Sequence, residues 1–215
     1  MAISAKQVAE LRSITGAGMM DCKKALSETD GDMGKAVEYL QKKNLAAVAK
    51  RSGRVAAEGA VGAYVHGGRI GVLVEINSET DFVARNEDFQ ALLKDVAMHV
   101  AATNPLYLDE SEIPAELVAK QHEIFLAQMV DSGKPEHILG KIVEGKVAKW
   151  KKEVCLLDQP FVKDTDKTVG QHVTEIASRI KENIKVRRFV RFEVGVGIEK
   201  EASDFAAEVA AAVQG

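Results

Sequence analysis

The chain has 215 residues, 46% hydrophobic and 28% charged, with four prolines and a net charge of −3. That length buries a substantial core and suits one or two domains, and the slight acidity argues against a general nucleic-acid binder, which carries a basic excess. The opening MAISAKQVAE has no apolar h-region and no stretch approaches the roughly 18 apolar residues of a span, so neither a secretory signal nor a membrane helix is expected and the compartment reads as cytoplasm.

The first helix is well signalled. Ser4 can cap it, Gln7 completes a capping box, and Ile3 and Val8 fall at the staple positions. Val8 and Leu11 continue its apolar stripe, and Thr15-Gly16-Ala17-Gly18 stops it. A second helix, about Met19 to Glu28, carries Met19, Cys22, Ala25 and Leu26 at helical spacing. Gly31 breaks it, and Asp32 can cap a third helix with Ala36, Val37 and Leu40 inward. These helices read as a small bundle over residues 1–45. The basic stretch 46–59 reads as a helical or extended connector.

The pattern then changes. Ala60 to His66 and Arg69 to Asn77 are strand-like, joined by Gly67-Gly68, which supplies the positive φ angles of a tight hairpin turn. From Thr80 to Thr103 the pattern is helical, with Phe89, Leu92, Leu93, Val96 and Val100 on one face. A helix follows from about Pro114 to Asp131, ended by Gly133. Pro135 opens another to about Lys152, with Leu139, Ile142, Val143, Val147 and Trp150 inward. After Gln159-Pro160, Thr168 to Ile180 is helical and Lys185 to Val194 alternates. Strict alternation puts Val186, Arg188, Val190, Phe192 and Val194 on one face of that strand. Together with the hairpin it makes a three-stranded antiparallel sheet covered by helices on one side. A last helix, Ser203 to Val213, completes an α+β chain with a core over 60–195 and a C-terminal helical module over 196–215.

No catalytic constellation stands out. Gly140-Lys-Ile-Val-Glu-Gly145-Lys146 has phosphate-loop spacing, yet Val147 stands where Ser or Thr should hold magnesium, and the stretch lies in a helical pattern. The five histidines show no zinc spacing, and Cys22 and Cys155 read as buried reduced thiols. Neither metal nor cofactor is expected. A rival reading takes the run Lys50, Arg51, Arg54 and the arginines 187, 188 and 191 as an RNA-binding face.

Two segments carry a resemblance. Leu11-Arg-Ser-Ile-Thr-Gly-Ala-Gly-Met-Met-Asp-Cys-Lys-Lys-Ala25 and Glu79-Thr-Asp-Phe-Val-Ala-Arg-Asn86 are similar to the signatures of the elongation factor Ts family. Matches continue in Gly133-Lys-Pro, Glu144-Gly-Lys, Gln159-Pro-Phe-Val162 and Arg188-Phe-Val-Arg-Phe-Glu193, so the resemblance covers essentially the whole chain. It implies a translation factor, not an enzyme, that binds elongation factor Tu and speeds GDP release. It also implies that the N-terminal bundle, similar to ubiquitin-associated domains, docks on the GTPase, while Thr80, Asp81, Phe82 and Val83 disturb the partner's magnesium site. Leu11, Thr15, Gly16, Gly18, Met19, Met20, His66 and Phe205 are the accompanying docking candidates. No membrane and no direct nucleic acid are expected among its partners. Read without the resemblance, Asp81 is a helix cap and Phe82 a core residue, and the Thr15 to Met20 turn is a tight connection. Adjacent Met19 and Met20 cannot both face so small an interior, and exposed methionine gives an adaptable contact surface.

Longer family members carry two related cores with an inserted helical hairpin, and this chain has room for one. The hairpin Ala63 to Leu73 resembles the second copy, whereas Thr80 to Val83 resembles the first. One core then serves both roles, and two chains pair into a homodimer.

Overall fold

The computed structural model describes residues 3–129 and 135–198. Helix α1 (Ala5–Thr15) starts with the expected capping box: Gln7 N–H donates to Ser4 Oγ at 3.2 Å, and Ser4 N–H donates to Gln7 Oε1 at 3.0 Å. It ends at Gly16, whose φ of 64° lets its N–H close back on the Arg12 carbonyl. Helix α2 (Met19–Glu28) and helix α3 (Met33–Arg51, capped by Asp32) pack with α1 around Val8, Leu11, Cys22, Ala25, Leu26, Ala36 and Leu40. Helix α3 continues past this bundle, so the connector is helical as far as Arg51, and Val48 packs on the second core.

Strands β1 (Glu58–His66) and β2 (Ile70–Ser78) form the expected hairpin, with Gly67 and Gly68 at φ 54° and 67° and Arg69 N–H on the His66 carbonyl at 3.0 Å. After β2 come the single turn α4 (Asp81–Ala84) and helix α5 (Glu87–Thr103). Helices α6 (Ala115–Ala127) and α7 (Glu136–Val154) pack against each other. The phosphate-loop look-alike lies within continuous α7, not between a strand and a helix. A short hairpin, β3 (Pro160–Phe161) and β4 (Asp164–Thr168), precedes α8 (Val169–Ile180), which Thr168 and Gln171 cap reciprocally. Strand β5 (Lys185–Glu193) then pairs antiparallel with β2, giving the order β1-β2-β5. The expected C-terminal helix lies outside the described residues.

The core lies between one face of the sheet and the helices. Val72, Val74 and Ile76 of β2 meet Phe89, Leu92, Val96 and Val100 of α5 and Val169, Val173 and Ile176 of α8. Burying a side chain of this kind is worth about 1.5–3 kcal/mol, so this helix-on-sheet layer dominates the molecule's stability.

One expectation needs correction. A bulge opposite Glu75 and Ile76 breaks the alternation of β5: Ile76 pairs with Val186, Glu75 with Arg188, and Arg187 is skipped. The extra residue turns Val186 to the buried face with Phe189. Arg188, Val190 and Phe192 point away from the helices, and all three are exposed. The outer face of the sheet therefore keeps Val190 and Phe192 exposed along β5, while Arg191 lies on the helix side and donates to the Ala101 carbonyl.

Candidate functional site

Strand β2 ends at Ser78, whose buried hydroxyl donates to the Thr80 carbonyl at 2.8 Å and starts the turn into α4. Thr80 occupies the N-cap with extended backbone, yet its side chain makes no capping bond. Its hydroxyl donates instead to Glu182 Oε1 at 2.7 Å, and the N–H groups of Glu79 and Thr80 both donate to Glu182 Oε2 at 3.1 Å. In return, the Glu79 carboxylate accepts the Asn183 N–H at 2.7 Å and the Arg54 guanidinium at 3.3 Å. The Asn183 N–H, and after it Arg54, hold the Glu79 carboxyl below the usual carboxylate range.

The far end of α4 is equally fixed. Gln90 Nε2 donates to the Ala84 carbonyl at 2.6 Å, and Asn86 caps α5 through the Asp88 N–H at 2.8 Å. Ala84 is buried and Val83 packs on the core. Phe82 alone stands out, 77% exposed, beside an Asp81 carboxylate that pairs with Arg85 one turn on at 3.4 Å. The reading of Phe82 as a core residue therefore fails, and Asp81 is the first helical residue rather than the cap. An exposed phenylalanine on a turn secured at both ends is a rigid apolar projection with an acid beside it.

The bundle presents a second apolar surface at the α1–α2 corner. Met19 and Met20 are both exposed, so Met19 leaves the apolar stripe that its spacing with Cys22 suggested, and Ile14, which the sequence pattern did not single out, joins them. Leu11 is a correction: it is fully buried in the bundle core and supports that corner from beneath. Thr15 turns inward, its hydroxyl donating to the Leu11 carbonyl at 2.7 Å and accepting the Ala17 N–H at 3.3 Å. Gly16 is the left-handed cap of α1, and Gly18 is the N-cap of α2.

The two surfaces are neighbours. A Cβ placed on Gly16 would lie 3.7 Å from Arg179 Nε of α8. Arg179 also pairs at 3.2 Å with Asp88, in the first turn of α5 just after the Phe82 turn. His66 is not part of this grouping. It is exposed at the tip of the hairpin, bonded to Tyr64 Oη at 3.0 Å. The Phe82 turn follows the opposite end of β2, roughly 25–30 Å away at about 3.3 Å per strand residue. Phe205 lies outside the described residues.

Glu182 is what sequence reasoning missed. It contacts residues more than a hundred positions earlier, and nothing in Lys181-Glu182-Asn183 marks it locally. Four of the five arginines of the RNA-binding alternative face carboxylates: Arg54 on Glu79, Arg187 and Arg188 on Glu75, and Arg191 on Glu193. Among the described residues no group of three or more His, Cys, Asp or Glu is placed to hold a metal ion, and no helix is long and apolar enough to cross a membrane.

The family model for "Elongation factor TS" matches residues 5–196. The chain belongs to the elongation factor Ts family. It is 61% identical to the elongation factor Ts of Geobacter sulfurreducens, over 99% of each chain. It is 60% identical to that of Desulforamulus reducens over 99% of this chain and 98% of the relative. For that of Acetivibrio thermocellus the identity is 58%, over 99% of this chain and all of the relative. These relatives match in length as well as sequence.

Proposed function

We propose that the chain is a guanine-nucleotide exchange factor acting in the cytoplasm. It binds elongation factor Tu carrying GDP, disturbs the magnesium and phosphate site with the turn Thr80 to Val83, and so releases GDP for replacement by GTP. The supporting observation is Phe82, held outward on a turn whose start is anchored by the Glu79 and Thr80 N–H groups and the Thr80 hydroxyl on Glu182. A residue needed only for folding would be packed.

The energetics require more than this one side chain. Factor and nucleotide lower each other's affinity by the same factor. Moving the partner's balance from 1:99 to 99:1 takes about 5.5 kcal/mol of differential binding, whereas burying Phe82 supplies about 1.5–3 kcal/mol. The rest comes from docking at the α1–α2 corner, where Ile14, Met19 and Met20 are exposed. Docking there delivers Phe82 and Asp81 to the nucleotide site. Asp81 competes for the groups that organise the magnesium, and Phe82 wedges between the elements that hold it. The chain itself breaks no bond and needs no cofactor.

The family's longer members carry two cores where this chain has one, and the outer face of its sheet bears exposed Val61, Leu73, Val190 and Phe192. We infer that two copies pair through this face.

Stopped-flow release of fluorescent GDP from elongation factor Tu tests the exchange reading. The wild-type chain should accelerate release. Phe82→Ala should lower the maximal rate by about ten- to a hundredfold, the kinetic equivalent of losing one phenylalanine burial, with thermal unfolding unchanged. GDP release that is no faster with the wild-type chain than without it overturns the reading.

A further inference from the structure

The bonding around residues 79–80 and 182–183 exceeds what the end of a strand pair requires. Strands β2 and β5 stop pairing at Asn77 and Lys185, and chain beyond that point would ordinarily be left to solvent. Here each segment lends the other a carboxylate: Glu182 takes two N–H groups and the Thr80 hydroxyl, and Glu79 takes the Asn183 N–H. A third segment joins them. The buried Asn183 side chain donates to the carbonyls of Arg54 at 2.7 Å and Ser52 at 3.4 Å, and Lys185 Nζ reaches the Ser52 carbonyl at 2.7 Å. Ser52 is the C-cap of α3, the last helix of the bundle.

We propose that Glu182 is a positioning residue for nucleotide exchange. It holds the Thr80 to Val83 turn at a fixed angle and, through Asn183, ties that angle to the end of α3. The inference rests on the exchange reading above. A four-residue helix cannot hold its own shape, because its first N–H groups have no partner inside it and it has too few bonds to offset nucleation. Thr80 would ordinarily cap it, but that hydroxyl is committed to Glu182. The carboxylate instead accepts the N–H of Thr80 itself, as the N3 side chain of a capping box would, and so anchors the start of the turn across about a hundred residues of sequence. A wedge opens a partner only if the wedge does not bend, so stiffness in the turn converts docking energy into strain at the nucleotide site. The connection to α3 makes the same brace register where the bundle sits.

The experiment measures GDP release from elongation factor Tu as the chain's concentration is varied. Glu182→Ala should lower the maximal rate about tenfold, while the concentration giving half-maximal rate changes little, since Ile14, Met19 and Met20 are untouched. Glu182→Gln should fall between, because its amide keeps one acceptor oxygen but turns N–H groups toward a donor. Thr80→Val combined with Glu182→Ala should add little to Glu182→Ala alone, as expected for partners in one contact. In the free chain, amide exchange at Glu79 and Thr80 should quicken in Glu182→Ala while thermal unfolding stays close to wild type. Maximal rates equal to wild type, or a loss confined to the half-maximal concentration, overturn the proposal. If Glu182→Ala unfolds, a Glu182→Gln variant that folds and exchanges at the wild-type rate also overturns it. Failure of the wild-type chain to speed release would instead sink the exchange reading, and the amide data would still report whether the brace exists.

Discussion

His99 shows how one buried polar side chain fixes its own protonation. It is fully buried, and the Val162 N–H donates to its Nδ1 at 3.3 Å, so Nδ1 is an acceptor and the proton sits on Nε2. Nε2 faces Gln159 Oε1 at 2.9 Å, which also takes the Thr103 hydroxyl at 2.8 Å. Phe161 lies between this imidazole and His172, stacked on the latter with centroids 4.4 Å apart. Burial, only partly opposed by Gln159, pushes the His99 pKa below its usual 6.5. Burial also lowers that of His172, against the pull of Asp95. The folded chain therefore binds fewer protons than the unfolded one just below pH 6.5, and stability present above that value is lost as pH falls toward the folded-state pKa. The melting temperature should be lower at pH 5.5 than at pH 7.5. His99→Gln, which keeps both a donor and an acceptor but cannot titrate, should flatten that dependence. An unchanged slope in His99→Gln would mean that acid sensitivity arises elsewhere, with the Glu79 carboxylate expected to contribute only at lower pH.

At the scale of elements, the same substitution should act with opposite sign at two kinds of glycine. A Cβ on Gly62 of β1 would lie 2.5 Å from Leu93 Cγ, in the layer where α5 covers the sheet. Gly62→Ala is overpacking and should cost about 1–3 kcal/mol. Gly140 and Gly145 lie inside α7 with nothing within 4 Å of an added Cβ, so alanine there should stabilise by about 0.5–1 kcal/mol by removing the entropy glycine loses in a helix. Urea unfolding of the three variants distinguishes the signs. The contrast also shows what the sequence could carry. The capping box at Ser4, the Gly67-Gly68 turn and the apolar stripe of α5 are set by neighbours within a few residues, and all were legible. The bulge in β5, the split between α4 and α5, and the hairpin β3–β4 were not, because each depends on a partner distant in sequence. The candidate site divides in the same way. Thr80 to Val83 stand out only through the family resemblance, since their residues alone read as a cap and a core position. Leu11 is buried as its place on the apolar stripe of α1 implies, whereas the brace from Glu182 emerges only when the elements pack.

For the whole molecule, the proposed pairing of two copies rests on the outer face of the sheet. Across the strands the aligned row Ala63, Leu73 and Val190 is apolar, and so is the row Val65, Gly71 and Phe192. A third row sets Val61 beside Glu75 and Arg188. Among the described residues helices cover only the opposite face, and Phe192 is 67% exposed. Three strands of nine residues span roughly 30 by 14 Å at the usual strand rise and spacing. Two such faces together would bury on the order of 1,000 Å², near the lower end for a specific interface. Pairing of the proposed kind should therefore be reversible. Sedimentation velocity over a range of concentrations should show monomer passing into dimer, and Phe192→Glu or Leu73→Glu should hold the chain monomeric with its helix content intact. The Phe82 turn lies beyond the end of β2 rather than on this face, so a monomeric Leu73→Glu variant separates self-association from exchange. A wild-type chain that sediments as a monomer at every concentration, alone and with its partner, would assign the apolar face to something other than a second copy.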